Sequence, residues 1–115
     1  MDFSSENLVL EETSSIREAL TKIQENQYGM ICVSSASGEV IGVATDGDIR
    51  RNLLSGVTLD DPVGITINRD FVWASVHELR ENLIKKLDGY IKYIPILDDE
   101  KKLASARCPR TQHRM

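Results

Sequence analysis

The chain is poor in the residues that build metal centres, disulfide frameworks and membrane spans. Its two cysteines are Cys32, in an apolar run, and Cys108, near the end; no Cys-x-x-Cys pair occurs, and His77 and His113 are the only histidines. Neither a metal site nor a cross-linked secreted scaffold is supported, and this cysteine usage fits a reducing, cytoplasmic setting. No apolar run approaches the roughly 20 residues that cross a bilayer. The start MDFSSENLVLEE carries acids where a secretory leader would be basic, so a membrane is not an expected partner.

An excess of basic charge is missing as well. The net charge is −4, and Arg107, Arg110 and Arg114 all lie in the last nine residues, so residues 1–106 carry 11 basic against 18 acidic groups, or −7. That balance argues against nucleic acid as a partner. Catalytic signals are absent too: the serines sit in turns and caps with no base at a recognisable spacing, and no Gly-rich phosphate loop occurs. The sequence therefore implies no catalytic residues and no resident cofactor or metal.

What is present is one domain's worth of chain written twice. At 115 residues, folding buries roughly two thirds of the unfolded surface, enough for an independent core. In the first copy Ser15-Ile16-Arg17-Glu18 is a capping box, with Ile16, Ala19, Leu20 and Ile23 following at helical spacing, and Tyr28-Gly29 stops the helix. Met30 to Val33 is a buried strand, SSASGE a turn, and Val40 to Thr45 a strand leading into a helix over Gly47 to Leu54 that Gly56 ends. In the second copy Ser75-Val76-His77-Glu78 is again a capping box. Val76, Leu79, Leu83 and Leu87 mark the buried face of its helix, Gly89-Tyr90 stops it, and Tyr93 to Leu97 and Leu103 to Ala106 are strands around a DDEKK turn.

The capping boxes lie 60 residues apart, and the strand pairs align at an offset of 63, with Val33 over Ile96 and Val40 over Leu103. A consistent offset of this kind marks an internal repeat. Leu8-Val9-Leu10 and Phe71-Val72-Trp73 would add an edge strand to each copy, with Asp60-Asp61-Pro62-Val63 as the turn between them. The division expected is a first repeat over residues 1–58, a second over 59–108, and a tail or linker over 109–115.

The segment that carries chemistry is Val40 to Arg51, VIGVATDGDIRR. An apolar strand breaks there into Thr45, Asp46, Gly47 and Asp48 and then into a short basic helix. Amides freed at a helix start attract phosphate, the Thr45 hydroxyl can join them, and Asp48 can accept both hydroxyls of a ribose. A calcium loop fails because Arg50 takes the third oxygen position and no closing Glu follows. The competing reading is an aspartate cap on a surface helix. Arg50 and Arg51 flank the buried face set by Ile49 and Leu53, so one of the two faces a ligand, through a guanidinium suited to phosphate, or both are solvated. Trp73 belongs to the core rather than to a base-stacking platform.

A tandem of such units, with Gly42-Val43-Ala44-Thr45-Asp46-Gly47-Asp48 closing the first, resembles the paired cystathionine-β-synthase (CBS) domain, or Bateman module, over about residues 5–108. The resemblance implies an α+β fold of two β-α-β-β-α repeats related by a pseudo-twofold axis. It also implies a regulatory module whose clefts bind an AMP-, ADP- or ATP-like nucleotide, and pairing of two chains into a homodimer. The Gly-apolar-x-Thr/Ser-x-x-Asp motif matches residue for residue, with Thr45 toward a phosphate or ribose oxygen and Asp48 toward the ribose hydroxyls; Tyr93 and Pro95 fall where the cleft is lined. The second copy departs from the pattern: Cys108 falls under Thr45, Thr111 under Asp48, and Pro109 removes an amide, so at most one competent cleft is expected. Within the family the run ATDGDIRRNLL with TLDDPV after it looks most like the N-terminal module of bacterial sugar-phosphate nucleotidyltransferases. A similar run occurs in the C-terminal module of sugar-phosphate isomerases. A first repeat that begins almost at Met1 favours the former. The rival to ligand binding is a structural module that dimerises its host and binds nothing.

Overall fold

The computed structural model describes residues 8–86 and 94–107. Two three-stranded sheets form, each with a parallel pair bridged by a helix and an antiparallel hairpin. The first comprises β1 (Val9–Glu11), β2 (Met30–Ser34) and β3 (Val40–Thr45) in that spatial order, with α1 (Ile16–Asn26) joining β1 to β2 and α2 (Asp46–Leu54) leaving β3. The second comprises β4 (Ala74–Ser75), β5 (Ile94–Leu97) and β6 (Leu103–Arg107), with α3 (Arg80–Lys86) after β4.

The repeat is written into the register. Val33 pairs with Gly42 in the first hairpin and Ile96 with Ser105 in the second, both members displaced by 63 residues, and each hairpin carries its irregularity at the equivalent step, Val33/Ser34 and Ile96/Leu97. The mixed α+β architecture of two β-α-β-like units thus follows the sequence reading.

β2 is the centre of the first half and is apolar on both faces, because both faces of the sheet are covered. Ile31 and Val33 join Leu10, Ala44, Val63 and the α1 and α2 residues Ile16, Ala19, Ile23 and Ile49 on one side. Met30 and Cys32 face the other way, where they meet Val40, Val43 and Leu97, with Phe71, Trp73 and Leu103 packed alongside. The second cluster draws on both repeats, so the halves share a core. Trp73 is half-buried against it, and the Lys101 ammonium stands 5.3 Å from its ring centre.

The segment between the repeats lies across the first one. Ile16 N–H donates to the Asp61 carbonyl and Arg17 N–H to that of Leu59, each at 2.9 Å, which satisfies two amides at the start of α1. Val63 and Gly64 N–H then donate to the Ser14 and Glu12 carbonyls, through a 3-10 turn over Val63–Thr66. Finally Asn68 and Val43 exchange both backbone hydrogen bonds, at 2.8 and 3.1 Å, along the open edge of β3.

Several local expectations shift. α1 ends on Gln27 in the left-handed region (φ 62°), one residue before the expected Tyr28-Gly29 stop, and the Asn26 side chain accepts from Tyr28 N–H to lock the exit. Phe71-Val72-Trp73 is not a strand. β4 lies just beyond it, because Phe71 and Trp73 turn their rings into the inter-sheet core while Val72 points out. Ser75 does not cap a helix at Val76. Its backbone is still paired with Leu97, so the chain first turns, with Ser75 Oγ accepting from His77 N–H, and α3 starts at Arg80. Val76 and Leu79 are therefore exposed rather than on a buried face, while Leu83 packs on Ala74, Ile94 and Ile96. Leu87, Gly89, Tyr90 and Tyr93 lie outside the described residues. No helix among those described is long and apolar enough to cross a membrane.

Candidate functional site

Thr45, Asp46, Gly47, Asp48, Arg50 and Arg51 come together at the end of β3 and the first two turns of α2. The helix starts at Asp46, one residue earlier than its sequence suggests, and its N-cap is Thr45 (φ −96°, ψ 164°). Asp48 N–H donates to Thr45 Oγ1 at 3.0 Å, and Thr45 N–H donates to Asp48 Oδ2 at 3.3 Å, a reciprocal capping box. The capping reading of the junction is thus realised, with Thr45 rather than an aspartate as the cap. The Thr-x-x-Asp spacing carried that signal in the sequence, since it matches the pattern at Ser15 and Glu18.

Capping alters what the junction offers an anion. Asp46 N–H is held by the Gly29 carbonyl at 3.1 Å and Asp48 N–H by Thr45, so two of the first three helical amides already have partners. Two exposed cations stand beside the junction, each paired with a carboxylate of the same turn. Arg50 pairs with Asp46 at 3.1 Å, and Arg51 pairs with Asp48 Oδ1. The Asp48 side chain is only 22% exposed, whereas those of Arg50 and Arg51 are 66% and 73% exposed. Beneath them Ile49 is fully buried and Leu53 half-buried, the face predicted for α2. The Asn52 amide donates to the Asp48 carbonyl at 2.8 Å and braces the turn.

Gly47 and Gly42 have different reasons to be glycine. A Cβ on Gly47 would meet nothing closer than Arg51 Nη1 at 3.8 Å and Thr45 Oγ1 at 3.9 Å, so the guanidinium reaches back to the first turn of α2. A Cβ on Gly42 would come within 2.9 Å of both the Asn68 carbonyl oxygen and Ile67 Cδ1. The motif's glycine is thus the seat of the inter-repeat strap. Glycine inside a strand signals such a close approach, although Asn68 and Ile67 as its partners have no sequence signature.

Of the other residues considered, Pro95 is fully buried, and His77 is exposed with Nε2 2.9 Å from Asp99 Oδ1. Cys32 is a core residue whose thiol burial pushes up to about 12. Cys108, Pro109, Thr111 and His113 lie outside the described residues. No cluster of three potential metal ligands occurs among the described residues.

Comparison with known proteins places this geometry. Residues 2–55 match the CBS domain family. Arabinose 5-phosphate isomerase GutQ of Escherichia coli K12 is 31% identical over 98 residues, covering 82% of this chain but 30% of the isomerase. The chain spans under a third of the length of the curated relatives it matches. Among solved structures, a CBS domain protein of Pyrobaculum aerophilum complexed with AMP superposes with a TM-score of 0.77 at 19% identity, covering 99% of this chain and 92% of that one. The cytosolic domain of the Mg2+ channel MgtE in complex with ATP gives 0.74 at 17%, over 92% of this chain and 43% of that one. The fold is that of a CBS-domain pair.

Proposed function

We propose that this chain is a regulatory module that binds one adenine nucleotide at the junction of β3 and α2, within a longer protein that acts on sugar phosphates. The observation that carries the proposal is the fold match to a CBS pair complexed with AMP over nearly the whole chain, combined with an intact Thr45-x-x-Asp48 motif at a strand-to-helix junction rimmed by two arginines. Asp48 takes the ribose hydroxyls and Thr45 a ribose or phosphate oxygen. The host is of the sugar-phosphate isomerase kind: the GutQ likeness over 82% of the chain supports it, and the nucleotidyltransferase host expected from the sequence has no comparable support here.

Calorimetry with AMP, ADP, ATP, GTP and CTP tests the reading. Micromolar binding of an adenine nucleotide at no more than one per chain is expected. Asp48→Ala should weaken it ten- to a hundredfold, for a charge-assisted hydrogen bond contributing about 1.5–3 kcal/mol. Because Asp48 also closes the capping box, the variant must be shown folded by circular dichroism. No heat from any nucleotide at millimolar concentration would overturn the proposal.

One observation favours the structural alternative: both oxygens of Asp48 have partners within the chain. On that alternative the module only pairs its host. Leu54, 83% exposed, and Leu79, 62% exposed, would then lie at a homodimer interface. A monomer by light scattering at micromolar concentration would count against it.

A further inference from the structure

We infer that Arg51 is a phosphate-dependent latch on Asp48, which makes the module select nucleotides over nucleosides; the inference rests on the nucleotide reading above. The motif alone does not say which arginine faces the ligand. The geometry points to Arg51.

Asp48 is the residue read as the ribose acceptor, and its carboxylate is already engaged. Oδ2 accepts from the Thr45 amide at 3.3 Å in the capping box. Oδ1 is held by the Arg51 guanidinium. Each oxygen has a second lone pair, but a side chain 22% exposed has little open surface for two more donors beside the guanidinium. A ribose diol therefore reaches Asp48 only if Arg51 leaves. Arg51 also reaches back to the start of the helix, its Nη1 3.8 Å from where a Cβ on Gly47 would be.

Arg50 is under no such constraint. Its partner is Asp46, one turn earlier and half exposed, and that pair can persist whether or not Asp48 is occupied.

The displaced guanidinium is what phosphate needs. Its side chain is 73% exposed and rooted in the second turn, so it can swing without disturbing the core. With two of the first three amides of α2 already bonded, a phosphate at this junction depends on a side-chain cation for its charge-assisted contacts. Ligand binding then exchanges one pair, Asp48 with Arg51, for two, Asp48 with ribose and Arg51 with phosphate. A nucleoside breaks the first pair and supplies no replacement partner for Arg51.

The test compares AMP with adenosine by calorimetry on the whole chain, for the parent, Arg51→Met and, as a matched loss of one exposed paired cation remote from the junction, Arg17→Met. Arg51→Met should weaken AMP tenfold or more, the effect of losing a charge-assisted contact. It should tighten adenosine about twofold, since an exposed ion pair three residues apart on a helix opposes displacement only weakly. The preference for AMP over adenosine should fall about twentyfold, with Arg17→Met leaving it unchanged. Equal losses on both ligands, or a larger fall in preference from Arg50→Met, would overturn the latch while leaving nucleotide binding standing. A parent chain that binds neither ligand would overturn both.

Discussion

Replacing Gly42 with alanine tests whether the segment between the repeats is a structural strap or merely a linker. The added methyl would stand 2.9 Å from the Asn68 carbonyl oxygen, 2.9 Å from Ile67 Cδ1 and 3.2 Å from Ile67 Cβ. Two of these neighbours are anchored, one as backbone and one as a branched side chain packed against the first core. The strap must back away by several tenths of an ångström. That lengthens the two bonds between Val43 and Asn68, now 2.8 and 3.1 Å. Overpacking costs about 1–3 kcal/mol and weakening of two backbone hydrogen bonds about 1 kcal/mol more. The lower entropy of unfolded alanine returns about 0.5–1 kcal/mol. The net loss is about 1–3.5 kcal/mol, which for a chain of this size lowers the melting midpoint by about 4–14 °C. Gly47→Ala is the control. Its methyl would meet nothing within 3.8 Å and would sit in the first turn of α2, so helix propensity predicts a gain of up to about 1 kcal/mol. Urea unfolding followed by the fluorescence of Trp73, the single tryptophan, measures both. A Gly42→Ala variant within 0.5 kcal/mol of the parent would refute the docked strap.

Two further outcomes follow from the same geometry. Burial moves the Cys32 thiol from 9.0 to about 12, so the folded chain keeps a proton that the unfolded chain loses above pH 9. Its contribution is constant below pH 9 and falls through the window from about 9 to 12 by about 1.4 kcal/mol per unit. Parent and Cys32→Ala should therefore differ in stability by about 1.4 kcal/mol less at pH 10 than at pH 8, and a pH-independent difference would contradict the burial argument. Thr45→Ala removes the N-cap acceptor of α2 and should cost about 1 kcal/mol in urea unfolding, which Thr45→Ser should restore; equal losses in the two variants would show that the hydroxyl is not the stabilising group.

The first half was legible because local and long-range signals agree there. Ile16, Ala19 and Ile23 are both helix-periodic and buried, and β3 runs over Val40–Thr45 as its composition suggests. The second half misled for a physical reason. Ser75-x-x-Glu78 has the spacing of a capping box, but Ser75 is held by β5 at the moment it would have to cap, and tertiary pairing outweighs a local preference of about 1 kcal/mol. The same spacing at Thr45 and Asp48 was read for a ligand and proved to cap a helix. A hydroxyl and a carboxylate three residues apart at a helix start suit either role, so sequence alone cannot separate them. The strap was illegible because its bonds are backbone to backbone, and such bonds leave no trace in side-chain pattern.

The double role of Thr45 and Asp48 matters for how a ligand could be felt beyond its own site. Val43, whose N–H and carbonyl both bond to Asn68, lies two residues before Thr45 on the same strand. Asn68 in turn lies three residues before Phe71, which packs in the core shared by the two repeats. On the proposed reading, a ligand that draws Asp48 away from Arg51 would act on a capped turn continuous with β3. β3 is bonded to the strap, and the strap leads directly into the shared core.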